Sequence, residues 1–332
     1  MISKLKSLFR IIRSEILYRK RIKINAESLQ ESKLIMTLLV KDEEDIVAFC
    51  IEHHLHMGVD YIFAADDGST DNTLVILQKY EQKGLLHLVQ LSKKRWNQAE
   101  VVNQLGEMAH SKFSNAIIFH CDADELWVPT TGNLKQELTE HPRITGLYVP
   151  VINVLLKDLN GLEQFPDNAI YYVVKPKEYN SSANQQIHNF FLHKYPAKVM
   201  YNLKNRYLYV SAGNHEIISN GKKVIMAKSM NITIFHFPVR SKKQFYNKVV
   251  KAKYVFKDDK NIQVEAGWHW RVWVEELNRG NFDQLYRNCI VSKENSKKLI
   301  KQKIIEKRIF SEVFPNLFVN SVRKFNFGTS QK

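Results

Sequence analysis

Cysteine is scarce in this chain, and the three present, Cys50, Cys121 and Cys289, are widely spaced, lie in apolar stretches and form no CxxC pair. That argues against a disulfide framework and for buried thiols in a reducing compartment. Glycine is also sparse, with 12 residues in 332, and no Gly-rich loop of the Walker or dinucleotide type follows the first strand pattern. That argues against the phosphate loops of nucleotide-binding folds and against a methyltransferase. No apolar run approaches the roughly 18 to 20 residues of a transmembrane helix. There is no internal repeat, no long low-complexity linker and no aromatic RNA-recognition motif.

What is present suits a folded soluble protein. Hydrophobic residues make up 44% and charged residues 25% of the chain, while the formal charge of +15 calls for an anionic partner. Residues 1–30 place Leu5, Leu8, Phe9, Ile12, Ile16 and Leu17 near one face of a basic amphipathic helix. Such a helix either lies peripherally on an anionic membrane or packs on its own domain. It lacks the cleavage site of a signal peptide.

From residue 34 the pattern alternates between strands and helices, the mark of a mostly parallel sheet flanked by helices. Strands are expected at 34–40, 60–65, 85–91 and 115–121, and helices at 45–57, 72–83 and 97–112. Beyond residue 143 the alternation loosens, with strands at 144–152, 169–174, 198–200, 207–210 and 232–237, then Lys-rich helices including 242–256 and 297–309. The expected organisation is an N-terminal segment 1–30, an α/β domain 31–240 and a basic helical extension 241–332 packed on it.

Ligands of open α/β sheets bind beyond the carboxyl ends of the strands, and here those positions are acidic. Lys41-Asp42-Glu43-Glu44-Asp45 follows the first strand, Asp66-Asp67-Gly68-Ser69-Thr70-Asp71 the second, and Asp122-Ala123-Asp124-Glu125 the fourth. Converging carboxylates are tolerated where a cation or a donor-rich ligand binds. Asp122 and Asp124, two residues apart in an extended turn, suit a hard divalent cation, Mn²⁺ or Mg²⁺. Part of the second run is helix capping. The doubled Asp66-Asp67 exceeds that need, and a carboxylate there suits a uracil imide or ribose hydroxyls.

The stretches LIMTLLVKDEEDIVAFCIEHHLHMGVDYIFAADDGSTDNTLVILQKY and FHCDADELWVP resemble the family 2 inverting glycosyltransferases of the GT-A fold, in particular bacterial enzymes of surface-polysaccharide or lipooligosaccharide synthesis. The resemblance covers roughly residues 33–130 and, more faintly, 185–250. It implies that Thr37 and Glu43 lie around the nucleoside, that Asp67 contacts the base, and that Asp122 with Asp124 holds the metal and the diphosphate. Related sequences often carry Asn-Glu where Asp42-Glu43 stands here.

Farther on, Gly213-Asn214-His215-Glu216 and the segment His236-Phe237-Pro238-Val239-Arg240 offer His236, then His215, as donor-site residues, His236 as a third metal ligand beside Asp122 and Asp124, and Arg240 as a bidentate grip on the diphosphate. His53, His54 and His56 read as helix-face residues. Inversion needs a carboxylate base for the acceptor hydroxyl. Glu163, Asp167, Glu178 and Glu216 are admissible, and Glu216, beside His215, is preferred.

The expected partners are a nucleotide-sugar donor, UDP-sugar favoured, and a glycan or glycolipid acceptor, with no nucleic acid. The expected location is cytoplasmic, peripheral on the inner membrane face. Lys242, Lys243, Lys248, Lys251 and Lys253 either hold an anionic acceptor or form a solvated helix face. Trp268, Trp270 and Trp273 either stack on acceptor sugars or pack in the core. The competing reading is a non-catalytic nucleotide- or nucleic-acid-binding α/β protein.

Overall fold

The structure, a computed structural model, describes residues 32–91, 97–113, 115–130, 133–140, 144–157, 165–178, 190–202, 208–219, 222–224, 226–258 and 268–314. The expected N-terminal amphipathic segment and Glu163 lie outside them. The described chain opens with β1 (Lys33–Val40), α1 (Val47–His56), β2 (Tyr61–Asp66), α2 (Thr73–Gln82), β3 (Leu86–Gln90), α3 (Gln98–Lys112) and β4 (Ala116–Cys121). Strands β1, β2 and β4 are nearly continuous apolar runs because both sheet faces are covered. Along β1 the pleat sends Leu34, Met36 and Leu38 into a core shared with α1 and α2. Ile35 points to the opposite side, into a core shared with Val101, Val102 and Leu105 of α3.

The chain continues through β5 (Glu125–Pro129), α4 (Gln136–Glu140), β6 (Gly146–Val149), β7 (Val151–Leu156), β8 (Ala169–Val173), β9 (Lys198–Asn202), β10 (Tyr209–Val210), β11 (Ile217–Ser219), β12 (Lys222–Lys223), β13 (Ala227–Lys228) and β14 (Ile232–His236). The extension supplies α5 (Lys242–Asp258), α6 (Trp268–Asn278), α7 (Phe282–Cys289), α8 (Lys293–Lys301), β15 (Ile305–Lys307) and α9 (Phe310–Val313). The main sheet has the order β13-β6-β9-β4-β1-β2-β3. β1 runs parallel to β2 and β4, and β2 to β3, while β9 is antiparallel to β4 and β6. The expected mixed α/β architecture with a mostly parallel central sheet is present.

A second sheet, β15-β8-β7-β14-β5, stands beside it. β5 pairs antiparallel with β14, setting Glu125 opposite His236. This pairing carries a late strand to the acidic turn that ends β4.

Two expectations are corrected. The strand over 144–152 is two strands in different sheets, β6 and β7, because Pro150 interrupts the ladder. The helix over 297–309 ends at Lys301, and Lys303 adopts φ 56° before β15 pairs with β8. Leu126 and Trp127, directly after the acidic turn, lie in β5. No described helix is long and apolar enough to cross a membrane.

Candidate active site

Three loops meet at the carboxyl edge of the main sheet. After β2, Asp66 is 3% exposed, and its Oδ2 accepts from the backbone N–H groups of Gly68 (3.1 Å) and Ser69 (3.0 Å). The carboxylate therefore shapes the turn through Oδ2, while Oδ1 is buried without a partner among the described residues. Gly68 adopts φ 69° in that turn, a conformation glycine takes without cost. Asp67 points outward with 44% of its side chain exposed, and the Lys41 ammonium lies 3.7 Å from its Oδ2.

Thr37 departs from expectation. It sits in the middle of β1, 1% exposed, and its hydroxyl donates to His120 Nδ1 at 2.6 Å. The other His120 nitrogen then donates to the Tyr201 hydroxyl (3.1 Å), which donates to the Leu208 carbonyl (3.0 Å). Burial pushes His120 down to about 3, so this relay is neutral. Three more strand residues separate Thr37 from the sheet edge, which removes it from a nucleoside pocket.

Arg240 is fully buried and internally engaged. Its Nε and Nη2 form a fork on Asp45 (2.7 and 2.9 Å), Nη2 also meets Glu43, and Nη1 donates to the Phe237 carbonyl at 3.2 Å. The expected grip on a diphosphate is corrected: the guanidinium ties the segment after β14 to the loop after β1. Glu43 is corrected with it, since its carboxylate serves that ion pair. Burial raises the Glu43 pKa while Arg240 pulls it the other way.

Asp124, in the last loop, keeps only 9% of its side chain exposed. Lys248 of α5 approaches its Oδ2 at 2.9 Å, His236 Nε2 at 3.5 Å and Arg240 Nη1 at 3.8 Å. Burial pushes its pKa up, but Lys248, then His236 and Arg240, outweigh that and hold the carboxyl well below the usual range. Asp122 is 34% exposed and meets Lys198 at 2.6 Å. Lys198 also bonds Glu125 at 3.1 Å. Burial, only partly offset by Lys198, pushes Glu125 up to about 8.

His236 shows what this corner can hold. Asn153 Nδ2 donates to the Phe191 carbonyl (2.9 Å), so its Oδ1 faces His236 Nδ1 at 2.8 Å and accepts that ring's proton. Burial lowers the His236 pKa although Asp124 opposes it. The neutral ring therefore turns an unprotonated Nε2 toward Asp124, and two electron-rich atoms aimed together fit a cation. The expected triad is nevertheless not closed. Among the described residues, the group that brings three ligand atoms within 4.8 Å of one another is Cys50, His54 and Cys121, not Asp122, Asp124 and His236. Asp122 is drawn toward Lys198 instead. At the Cys50 cluster, both His54 nitrogens are already bonded, Nδ1 to the Cys50 carbonyl (2.7 Å) and Nε2 to the Trp127 N–H (3.2 Å).

The Gly213–Glu216 segment comes to the same corner. His215 Nδ1 bonds the carbonyl of Ala197, next to Lys198, at 3.0 Å, and the ring feels the charges of Lys198, Asp122 and Glu216. Gly213 (φ 74°) and Asn214 (φ 61°) hold the turn. Asn214 is 1% exposed, and its amide oxygen and nitrogen have no partner among the described residues. Of the other base candidates, Asp167 is exposed and Glu178 is 79% exposed, paired with Lys194.

Sequence reading missed Lys198, Asn153 and Asp45 as site residues and placed Lys248 with an acceptor-binding surface. No spacing relates them to the acidic turn, because β9, β7 and α5 reach it only through the fold. Trp273 is 1% exposed and packs among Phe190, Phe191 and Phe245, which makes it a core residue.

No curated protein matches the sequence. Among solved structures, the chain is similar to Staphylococcus aureus TarS 1–349 in complex with UDP-GlcNAc, at 16% identity over 74% of this chain and 72% of that one, TM-score 0.37. It is similar to the Pyrobaculum calidifontis mannosyltransferase PcManGT in complex with GDP-Man and Mn²⁺, at 18% identity over 40% and 42%, TM-score 0.29. A third is Mycobacterium tuberculosis glucosyl-3-phosphoglycerate synthase, at 18% identity over 39% and 48%, TM-score 0.29. The sequence profile that matches is that of glycosyltransferase family 92, over residues 36–289, which replaces family 2 as the assignment. That match runs from β1 to the end of α7, well over half the chain, and the chain belongs to glycosyltransferase family 92.

Proposed function

We propose that this glycosyltransferase moves a sugar from a nucleoside-diphosphate sugar, a UDP-sugar before others, to a hydroxyl of a glycan or glycolipid with inversion, in bacterial surface-polysaccharide or lipooligosaccharide synthesis. The observation that carries the reading is the placement of Asp67, Asp122 and Asp124 directly after the parallel strands β2 and β4, at one edge of the sheet, with the His236 ring 3.5 Å from Asp124. Asp67, the outward-facing carboxylate after β2, accepts from the base or ribose. Asp124 and His236, with Asp122, would hold a Mn²⁺ or Mg²⁺ ion, which would offset charge on the departing nucleoside diphosphate.

The remaining residues keep that corner in order. Asn153 fixes the His236 ring, Lys198 holds Asp122 and Glu125, and Arg240 anchors the loop after β1. Glu216 takes the proton of the acceptor hydroxyl as it attacks the anomeric carbon. The basic residues of the chain suit an anionic, membrane-associated acceptor met at the inner face of the cytoplasmic membrane.

The test is ligand-dependent stability. At a hundred times its dissociation constant, UDP with Mn²⁺ stabilises the wild type by about 2.7 kcal/mol. Chelator cancels the shift and Asp124→Ala loses it. A wild type whose melting is indifferent to every nucleoside diphosphate with metal refutes the reading.

A further inference from the structure

The electrostatics of the acidic turn carry a consequence that rests on the donor reading above. Asp122 and Asp124 are met by the ammonium groups of Lys198 (2.6 Å) and Lys248 (2.9 Å), so each carboxylate already has a cation on it. A divalent cation arriving alone at Asp124 is opposed by the Lys248 ammonium, and a diphosphate arriving alone is opposed by the Asp122 and Asp124 carboxylates. Arriving together they offset one another, and in a partly desolvated site that difference is large.

The lysines differ in freedom. Lys198 is 7% exposed in its side chain and bonds two carboxylates, Asp122 and Glu125. Lys248 is 18% exposed and reaches Asp124 from α5, bonding also to the Pro238 carbonyl at 3.4 Å. Its core-facing neighbours Phe245, Val249 and Ala252 are buried and hold the helix in place. One turn along, Lys251 bonds the Lys41 carbonyl at 3.2 Å, which keeps a second ammonium on the same face, beside the loop after β1.

We propose that Lys248 changes partner during the catalytic cycle. In the donor-free enzyme its ammonium takes the cation's place at Asp124 and His236. In the donor complex it passes to the diphosphate as the divalent ion takes over the carboxylate. Metal and nucleotide thereby bind as a pair, each raising the affinity of the other by the same factor. The C-terminal extension is then part of the donor site rather than only a cover for it.

Calorimetric titrations of the full chain test this with Mn²⁺ alone, UDP in chelator, and UDP at saturating Mn²⁺, in wild type and Lys248→Met. Wild type is expected to show strong positive coupling between Mn²⁺ and UDP. Lys248→Met is expected to bind Mn²⁺ alone at least about tenfold more tightly and UDP with Mn²⁺ about tenfold more weakly. Lys248→Arg, which keeps the charge, retains weak binding of Mn²⁺ alone.

Equal Mn²⁺ affinity in wild type and Lys248→Met overturns the inference, as does tighter Mn²⁺ binding with unchanged UDP affinity. If Lys248→Met does not fold, the wild-type titrations decide, because independent binding of Mn²⁺ and UDP overturns the exchange. In either case a wild type that binds UDP with Mn²⁺ leaves the donor reading standing. A wild type that binds no nucleoside diphosphate under any condition refutes that reading and this inference with it.

Discussion

Replacing Arg240 with methionine tests the internal architecture of the site separately from its ligands. The guanidinium is fully buried and meets Asp45, Glu43 and the Phe237 carbonyl, so the substitution keeps much of the volume and removes every one of these bonds. Asp45 retains 36% exposure of its side chain and rehydrates at little cost. Glu43 retains 20% and is left mainly desolvated with its principal counter-charge gone. Breaking a buried pair by removing one partner costs about 3 to 5 kcal/mol, and the lower end, about 3 kcal/mol, fits this half-hydrated arrangement at pH 7.5. The pH dependence follows from Glu43, whose folded pKa burial already raises against the pull of Arg240. Without Arg240 it rises further, so the folded variant holds a proton that the unfolded chain releases above about 4.5. The loss therefore grows as pH rises and shrinks on acidification. Urea unfolding of both proteins at pH 7.5 and pH 5 measures it: the cost is expected to narrow by more than about 1 kcal/mol at the lower pH. A cost under about 1 kcal/mol at pH 7.5, or one that does not narrow, refutes the reasoning.

Glu216→Gln is expected to abolish transfer while leaving calorimetric UDP binding in the presence of Mn²⁺ within about twofold, since it removes only the proton acceptor. An active variant moves the base elsewhere. Gly213→Ala places a Cβ 2.5 Å from His215 Nε2 at a residue with φ 74°, and is expected to lower stability by about 1 to 2 kcal/mol and to reduce turnover by displacing the His215–Glu216 turn. A variant equal to wild type in both refutes the placement of that turn. His53 donates to the Trp127 carbonyl at 2.7 Å, and burial lowers its pKa to about 4. Between pH 6.5 and 4 the unfolded chain therefore binds the extra proton and stability falls on acidification, by about 1.4 kcal/mol per pH unit for one group. His53→Gln is expected to remove one proton from the slope of unfolding free energy against pH, and an unchanged slope contradicts it.

The first half of the fold was legible because its strands are buried on both faces and its helices lie between them. LIMTLLV, YIFAA and AIIFHC are apolar runs too short for typical helices, and Gly58 and Gly84, both at positive φ, follow α1 and α2. The later strands escaped because their burial depends on partners distant in the chain. β5 is read as a turn until β14 arrives more than a hundred residues later to pair with it. The same holds for β15, a three-residue strand whose Lys-rich surroundings read as helix and whose partner, β8, precedes it by well over a hundred residues.

At the site, sequence alone identified the carboxylates but not their counter-charges, and the reason is geometric. A carboxylate directly after a parallel strand has its position set by that strand, so Asp67, Asp122 and Asp124 were placed at one edge by local pattern. The groups that meet them arrive on antiparallel or helical elements whose register no local pattern fixes: Lys198 at the start of β9, Asn153 within β7, Lys248 midway along α5. The same mechanism misassigned Arg240 and Thr37. An arginine four residues after His236 and a threonine in the first strand both suit a ligand by residue type, yet one saturates its fork on Asp45 and Glu43 and the other is consumed by His120. Residue type limits what a side chain can bond. Whether a ligand or another side chain takes those bonds is decided by long-range packing, so Lys248, which sits on a carboxylate and keeps a partly exposed path to solvent, is the cation best placed to exchange one for the other.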